Sequence, residues 1–112
     1  MAKRGKSART KGHAFEREIA ELFRELGWDN CVTSRSESKN TDDKGIDLCF
    51  TLPWSVQCKA QEKLTTGLHE LISGMPKDDN HNVIIWKRNN KGILVSMDLE
   101  SFKKIARRVH SF

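Results

Sequence analysis

Asp47 stands in the run Gly45-Ile46-Asp47-Leu48, and ten residues after it the chain reads Gln57-Cys58-Lys59. Side chains on an extended strand alternate between two faces. Gln57 and Lys59 therefore point one way, and Val56, Cys58 and Ala60 the other. In the preceding strand Asp47 and Cys49 share a face, opposite Ile46, Leu48 and Phe50. A hairpin through Leu52-Pro53-Trp54 would gather Asp47, Gln57 and Lys59 on one polar face. An acid, an amide oxygen and an ammonium gathered there suit metal-assisted hydrolysis of a phosphodiester. Mg²⁺ takes oxygen ligands and keeps several waters; it lowers the pKa of water and relieves charge on phosphate oxygens. Asp47 would be the principal anionic ligand and Gln57 a neutral one. Lys59 would orient the attacking water or stabilise the transition state as a point charge. Mn²⁺ is expected to substitute for Mg²⁺.

Each residue also has a plain structural reading. A carboxylate inside an apolar strand costs free energy unless it is paired or metal-bound; for Asp47 the plain alternative is an Asp at the edge of a turn. Lys59 alone would suit an edge strand protected against aggregation, and Gln57 alone means nothing.

The elements that must position these side chains follow from periodicity. Phe15, Ile19, Leu22, Phe23 and Leu26 fall on one face of a helix from about Gly12 to Leu26, with Gly27 where a C-terminal cap belongs. A short strand is expected at 31–33, a polar loop at 34–44, and strands at 46–51 and 55–61. A second helix over 64–74 would turn Leu68, Leu71 and Ile72 inward and end before Pro76. Asn82 to Lys87 is a nearly continuous apolar run, read as a central strand buried on both faces. Asn89-Asn90-Lys91-Gly92 is a turn, followed by a strand at 93–96. Asp98 caps a last helix, 99–110, with Leu99, Phe102, Ile105 and Val109 as its inner face. The order α-β-β-β-α-β-β-α predicts an α/β fold, a mixed sheet of about five strands flanked by helices.

The 112 residues suit one domain with one modest core. Residues 1–11 carry five of the 20 Lys and Arg and none of the 15 acids, so the remaining charges balance and the net +5 sits in this segment. It reads as a basic flexible arm ahead of a single domain over 12–112. Through Lys3, Arg4, Lys6, Arg9 and Lys11 it is expected to attract nucleic-acid phosphate by counterion release; a solubilising tail is the plain alternative. Lys103, Lys104, Arg107 and Arg108 form a basic stripe, usually a wet face, that could extend a DNA footprint.

Cys31, Cys49 and Cys58 make an odd count with no Cys-x-x-Cys pair, against both a disulfide framework and a zinc knuckle. A reducing, cytoplasmic setting is expected. The four His show no metal-ligand spacing, and the three Trp suit packing better than base stacking. No apolar run approaches the ~20 residues of a membrane span. Met1-Ala2-Lys3-Arg4-Gly5-Lys6 lacks the apolar stretch of a secretory signal.

Three segments together resemble the PD-(D/E)XK nuclease superfamily, and more narrowly the small archaeal-type and phage Holliday junction resolvases. They are Lys11-Gly12-His13-Ala14-Phe15-Glu16-Arg17-Glu18, the Ser-rich loop leading to Gly45-Ile46-Asp47-Leu48, and Val56-Gln57-Cys58-Lys59-Ala60. The likeness covers residues 11–61 and implies a restriction-endonuclease-like fold. It places Glu16 at the family's first-helix acid, with Arg17 as the basic residue beside it. Asp47 falls at the strand acid and Lys59 at the catalytic Lys. Gln57 departs from the usual Glu or Asp. Glu16 would then restore the missing charge at the metal, directly or through water. Ser34, Ser36 or Ser38 would approach the scissile backbone, and Arg17, Arg35 and Lys39 would grip it.

The resemblance implies a Mg²⁺-dependent endonuclease on branched DNA, with no small-molecule cofactor and no membrane partner. It also implies a homodimer, since a four-way junction needs two cuts. A host-cell or phage origin fits. Alternatives are a restriction-like or repair nuclease on ends, nicks or flaps, a silent DNA-binding module in which Gln57 has replaced the catalytic acid, and a basic RNA-binding protein.

Overall fold

The computed structural model describes residues 2–37 and 39–111, and for residues 2–7 and Lys39 the backbone alone. Helix α1 (Ala2–Leu26) is followed by β1 (Val32–Thr33), α2 (Ser34–Glu37), α3 (Lys39–Asp43) and β2 (Leu48–Cys49). Then come β3 (Trp54–Ala60), α4 (Leu68–Ser73), β4 (His81–Arg88), β5 (Gly92–Met97) and α5 (Leu99–His110). The order of long elements is the expected one, with two short helices added.

β4 is the centre of a three-stranded sheet, parallel to β3 and antiparallel to β5. β1 and β2 form a separate antiparallel pair, with Val32 opposite Cys49. The expected five strands are present, divided three and two, with helices flanking them. On β3 and β4 the side chains of Val56, Cys58, Val83 and Ile85 meet Phe15, Ile19 and Phe23 of α1, and Cys31 and Leu48 complete this core. α1 ends where Gly27 adopts a φ of 121°. Its N–H donates to the Arg24 carbonyl, and the Trp28 N–H donates to that of Phe23, the double bond of a Schellman cap. Cys31, Cys49 and Cys58 are all free. No helix among the described residues is long and apolar enough to cross a membrane.

Several boundaries differ from the sequence expectation. α1 begins at Ala2, so the basic segment expected as a flexible arm continues the helix. Its Ala, Lys and Arg residues are strong helix formers and outweigh Gly5 and Gly12. The polar stretch 34–44 holds α2 and α3 instead of a loop. These short helices carry no apolar stripe that a periodicity reading could find. β2 is only two residues long because Phe50 takes a left-handed φ of 64° and breaks the extended run. α4 starts four residues late, behind Gly67.

The largest departure is α5. Asp98 caps it as expected, its carboxylate accepting the Ser101 N–H at 2.8 Å. The face expected to pack inward is not packed: no α5 residue is buried, and Leu99, Phe102 and Val109 are all exposed. β5 likewise exposes Ile93, Leu94 and Val95. The amphipathic pattern marks a surface to be covered, and among the described residues nothing covers it.

Candidate active site

Asp47 lies where β2 and β3 part. Its N–H donates to the Val56 carbonyl (2.7 Å) and its carbonyl accepts from the Ser34 N–H (2.8 Å), so the backbone joins the two sheets at this residue. The ladder does not continue. Instead, Asp47 Oδ2 accepts the Cys58 N–H at 2.7 Å, occupying the place that a strand carbonyl would take in a continued ladder. Burial raises the Asp47 carboxyl to about 7. The Cys58 N–H opposes this, the negative charges of Glu16 and Asp42 push further up, and the Lys59 ammonium pulls down. Cys58, buried behind the carboxylate, has its thiol pushed up, first by burial and then by the charges of Asp47 and Glu16, so it stays protonated.

Gln57 and Lys59 share one face of β3, two residues apart and opposite Ile84 and Trp86 of β4. Gly45, with a φ of 80°, lies against the Gln57 amide. A Cβ there would meet Gln57 Nε2 at 3.0 Å and, in ordinary contact, the Met75 side chain at 3.9 Å. This close approach fixes where the amide sits relative to the Asp47 segment. Gln57 Oε1 is buried with no hydrogen-bond partner among the described residues.

Glu16 reaches the site from α1 and is buried. Arg35 Nη2 lies 2.9 Å from its Oε1 and 3.1 Å from its Oε2. Arg35, expected to hold DNA, is thus tied to Glu16 while remaining half-exposed. Each Glu16 oxygen keeps a further lone pair.

Two features of this neighbourhood escaped the sequence reading. Asp42, on α3, adds negative charge at Asp47; its signal was the Asp42-Asp43 pair just ahead of Gly45. Lys87, at the end of β4, pairs with Glu18 at 3.3 Å and lies 5.7 Å from the Phe15 ring centre. It shares a cleft of about 150 Å³ with Lys11 and Asn89, and no local motif marked it.

Of the residues expected to touch DNA, Arg9, Lys11, Arg17 and Ser36 are exposed. The Ser36 hydroxyl donates to the Thr33 carbonyl at 2.9 Å. Ser34 is a correction: it is fully buried, with Oγ 3.5 Å from Cys49 Sγ, and so cannot reach a DNA backbone. It ties the start of α2 to β2 instead. Ser38 and the side chains of Lys3, Arg4, Lys6 and Lys39 lie outside the described residues.

A mixed sheet flanked by helices, with an acid at a parted strand pair and an amide and a lysine on the next strand, defines the class of restriction-endonuclease-like nucleases. The model of the Mrr_cat restriction endonuclease family matches residues 7–110. The chain belongs to this family, which is one of the PD-(D/E)XK nucleases that act on DNA. No curated protein and no solved structure matches it.

PD-(D/E)XK nucleases are generally dependent on a divalent metal, and the residues present suit one. Among the described residues no three His, Cys, Asp or Glu side chains group closely enough to hold a metal by themselves. The donors at hand are Asp47, the partnerless Gln57 Oε1 and Glu16, all oxygen, as a hard cation requires. Asp47 and Gln57 would hold such an ion, with Glu16 beside them. The bound ion supplies Lewis acidity toward a phosphoryl oxygen and a water of lowered pKa. Lys59 brings a fixed positive charge to the same end of β3. The Cys58 N–H holds the Asp47 carboxylate in one orientation.

Proposed function

We propose that this protein is a Mg²⁺-dependent, structure-selective DNA endonuclease of the Holliday junction resolvase type, working as a homodimer that nicks two symmetric strands of a four-way junction. Mn²⁺ replaces Mg²⁺ in this reading. The observation that carries it is the Asp47 carboxyl raised to about 7, by burial first and then by the negative charges of Glu16 and Asp42, together with a buried Gln57 oxygen on the next strand that has no partner among the described residues. A site with surplus negative charge and a bare oxygen is completed by a cation. The junction preference rests on the likeness of Lys11 to Glu18 to the resolvase opening helix. Arg9, Lys11 and Arg17 lie exposed along α1 and would contact phosphates, which set position and carry little sequence information. Glu16, Asp47, Gln57 and Lys59 form the catalytic set, with Lys59 countering phosphate charge.

A second reading is a nuclease that cuts linear duplex, favoured by the restriction endonuclease description of the family. Incubation with labelled four-way junction, its parent duplex and RNA, each with Mg²⁺ or EDTA, separates the two. Paired symmetric nicks in the junction alone, lost in EDTA, support the resolvase reading. Equal cutting of duplex favours the second. Junction binding without cutting, even in Mn²⁺, makes the chain a silent binding module.

A further inference from the structure

Glu16 brings a negative charge to the active site, and in the structure that charge is already taken. Arg35 Nη2 bridges both carboxylate oxygens, at 2.9 and 3.1 Å. The Glu16 side chain is 11 % exposed and that of Arg35 44 %, so the acid is enclosed and the base stands at its open side. Glu16 is also one of the negative charges that press on Asp47 and Cys58. Its carboxylate is therefore within electrostatic reach of the ion that Asp47 and Gln57 would hold, and a cation and a guanidinium compete for one acid.

Arg35 is placed to change partners. Both contacts use Nη2, and among the described residues Nε and Nη1 keep their N–H donors for a second acceptor. A guanidinium fits a phosphate as well as it fits a carboxylate. Arg17 and Ser36, each next in sequence to a member of the pair, are exposed and line an open groove of about 700 Å³ between α1 and the β1–α2 segment. Glu18 and Glu21 line it too and balance Arg17 and Arg24, which leaves Arg35 as the cation for a phosphate entering there.

We propose that Arg35 couples DNA to the metal by exchanging partners: it holds Glu16 while the site is empty and passes to a backbone phosphate when DNA arrives, which releases Glu16 to the cation. Every charge has a counter-charge before and after. A phosphate that drew Arg35 away with no cation present would leave a buried carboxylate unpaired, which is costly. A cation without DNA has to displace the guanidinium. Each ligand therefore binds better when the other is there, and by linkage the gain is the same in both directions. Arg35 acts through Glu16 and is a positioning residue. The inference rests on the metal-assisted reading above, with Glu16 beside the ion, and holds for junction and duplex alike.

The test is binding rather than cutting. Calorimetry at pH 8, where the Asp47 carboxyl is ionised, gives the Mn²⁺ affinity of the DNA-free natural chain, Arg35→Gln and Arg35→Lys, with circular dichroism to check folding. Affinity for labelled four-way and duplex DNA is then measured in Ca²⁺ and in EDTA, with gels to confirm that the DNA is uncut. Arg35→Gln should bind Mn²⁺ about 10-fold tighter than the natural chain, because Glu16 no longer has a competing partner. Arg35→Lys keeps the charge and should stay within about 3-fold of the natural chain. Ca²⁺ should tighten DNA binding about 10-fold for the natural chain and no more than about 3-fold for Arg35→Gln. An Arg35→Gln chain that binds Mn²⁺ no better than the natural one overturns the inference and makes Arg35 a structural partner of Glu16. So does a natural chain whose DNA affinity ignores Ca²⁺, a result that needs no variant to fold. If neither the natural chain nor Arg35→Gln binds Mn²⁺, the metal-assisted reading itself falls, and the inference with it.

Discussion

The Asp47 carboxylate holds the Cys58 N–H at 2.7 Å, replacing a strand partner with a side chain at the point where β2 leaves β3. The same carboxyl stands at about 7, mainly through burial, against 3.8 for an ordinary Asp. Between these two values the folded chain binds a proton that the unfolded chain has released, so this group's contribution to stability falls as pH rises from about 4 to about 7, then levels. Asp47→Asn should remove that part of the pH dependence. In the absence of divalent metal it should stabilise the fold at pH 8 by about 2–4 kcal/mol while doing little at pH 4. Urea midpoints of both proteins at the two pH values check this. A wild-type slope retained in the variant would assign the titration elsewhere.

A cation bound by the folded chain raises its melting temperature by mass action. Mg²⁺ or Mn²⁺ at pH 8 should raise the melting point of the natural chain and leave that of Asp47→Asn unmoved. Gln57→Glu should reach the same shift at lower metal concentration, because it adds a charged ligand. Thermal melts over a metal titration measure all three. A Gln57→Glu protein with weaker metal response would show that the amide N–H₂ is needed as a donor.

Arg35 neutralises Glu16 at the edge of the site. Arg35→Ala leaves a buried carboxylate without its partner and should cost about 1–3 kcal/mol. Adding Glu16→Gln should recover part of that loss, since the two residues act as a pair. Denaturant unfolding of the two single variants and the double variant gives the coupling. Strictly additive losses would mean that the ion pair is incidental.

The helix-strand order, the core stripe of α1, the Asp98 cap and the central position of β4 were all legible, because each leaves a local mark: apolar spacing, a capping residue, or an unbroken apolar run. The neighbours of Asp47 were legible only in part. Alternation placed Gln57 and Lys59 on one face. The Cys58 N–H as partner of Asp47, Arg35 on Glu16 and the nearness of Asp42 depend on where β2 parts from β3 and how α2 and α3 fold, and no periodicity encodes that. Leu99, Phe102 and Val109 were read as interior for a sound reason, since an amphipathic stripe needs a cover. The sequence does not say where that cover lies, and among the described residues there is none.

Gly45→Ala meets two obstacles. The φ of 80° is strained for any side chain, and the new methyl would stand 3.0 Å from Gln57 Nε2. The amide can move aside, but the backbone strain remains. The expected loss is about 1–3 kcal/mol, together with a higher Mg²⁺ requirement as Gln57 shifts. Unfolding and metal-dependent melting together read both effects. A loss of stability with unchanged metal response would separate Gly45 from the site.

Cleavage of labelled four-way DNA by the natural chain and by Asp47→Asn, in Mg²⁺ and in EDTA, bears most directly on the metal-assisted site. The natural chain should cut in Mg²⁺ and not in EDTA. Asp47→Asn should bind the same DNA about as tightly while cutting roughly 100-fold or more slowly. Cutting that persists in EDTA, or an Asp47→Asn protein that cuts at the natural rate, would contradict the account.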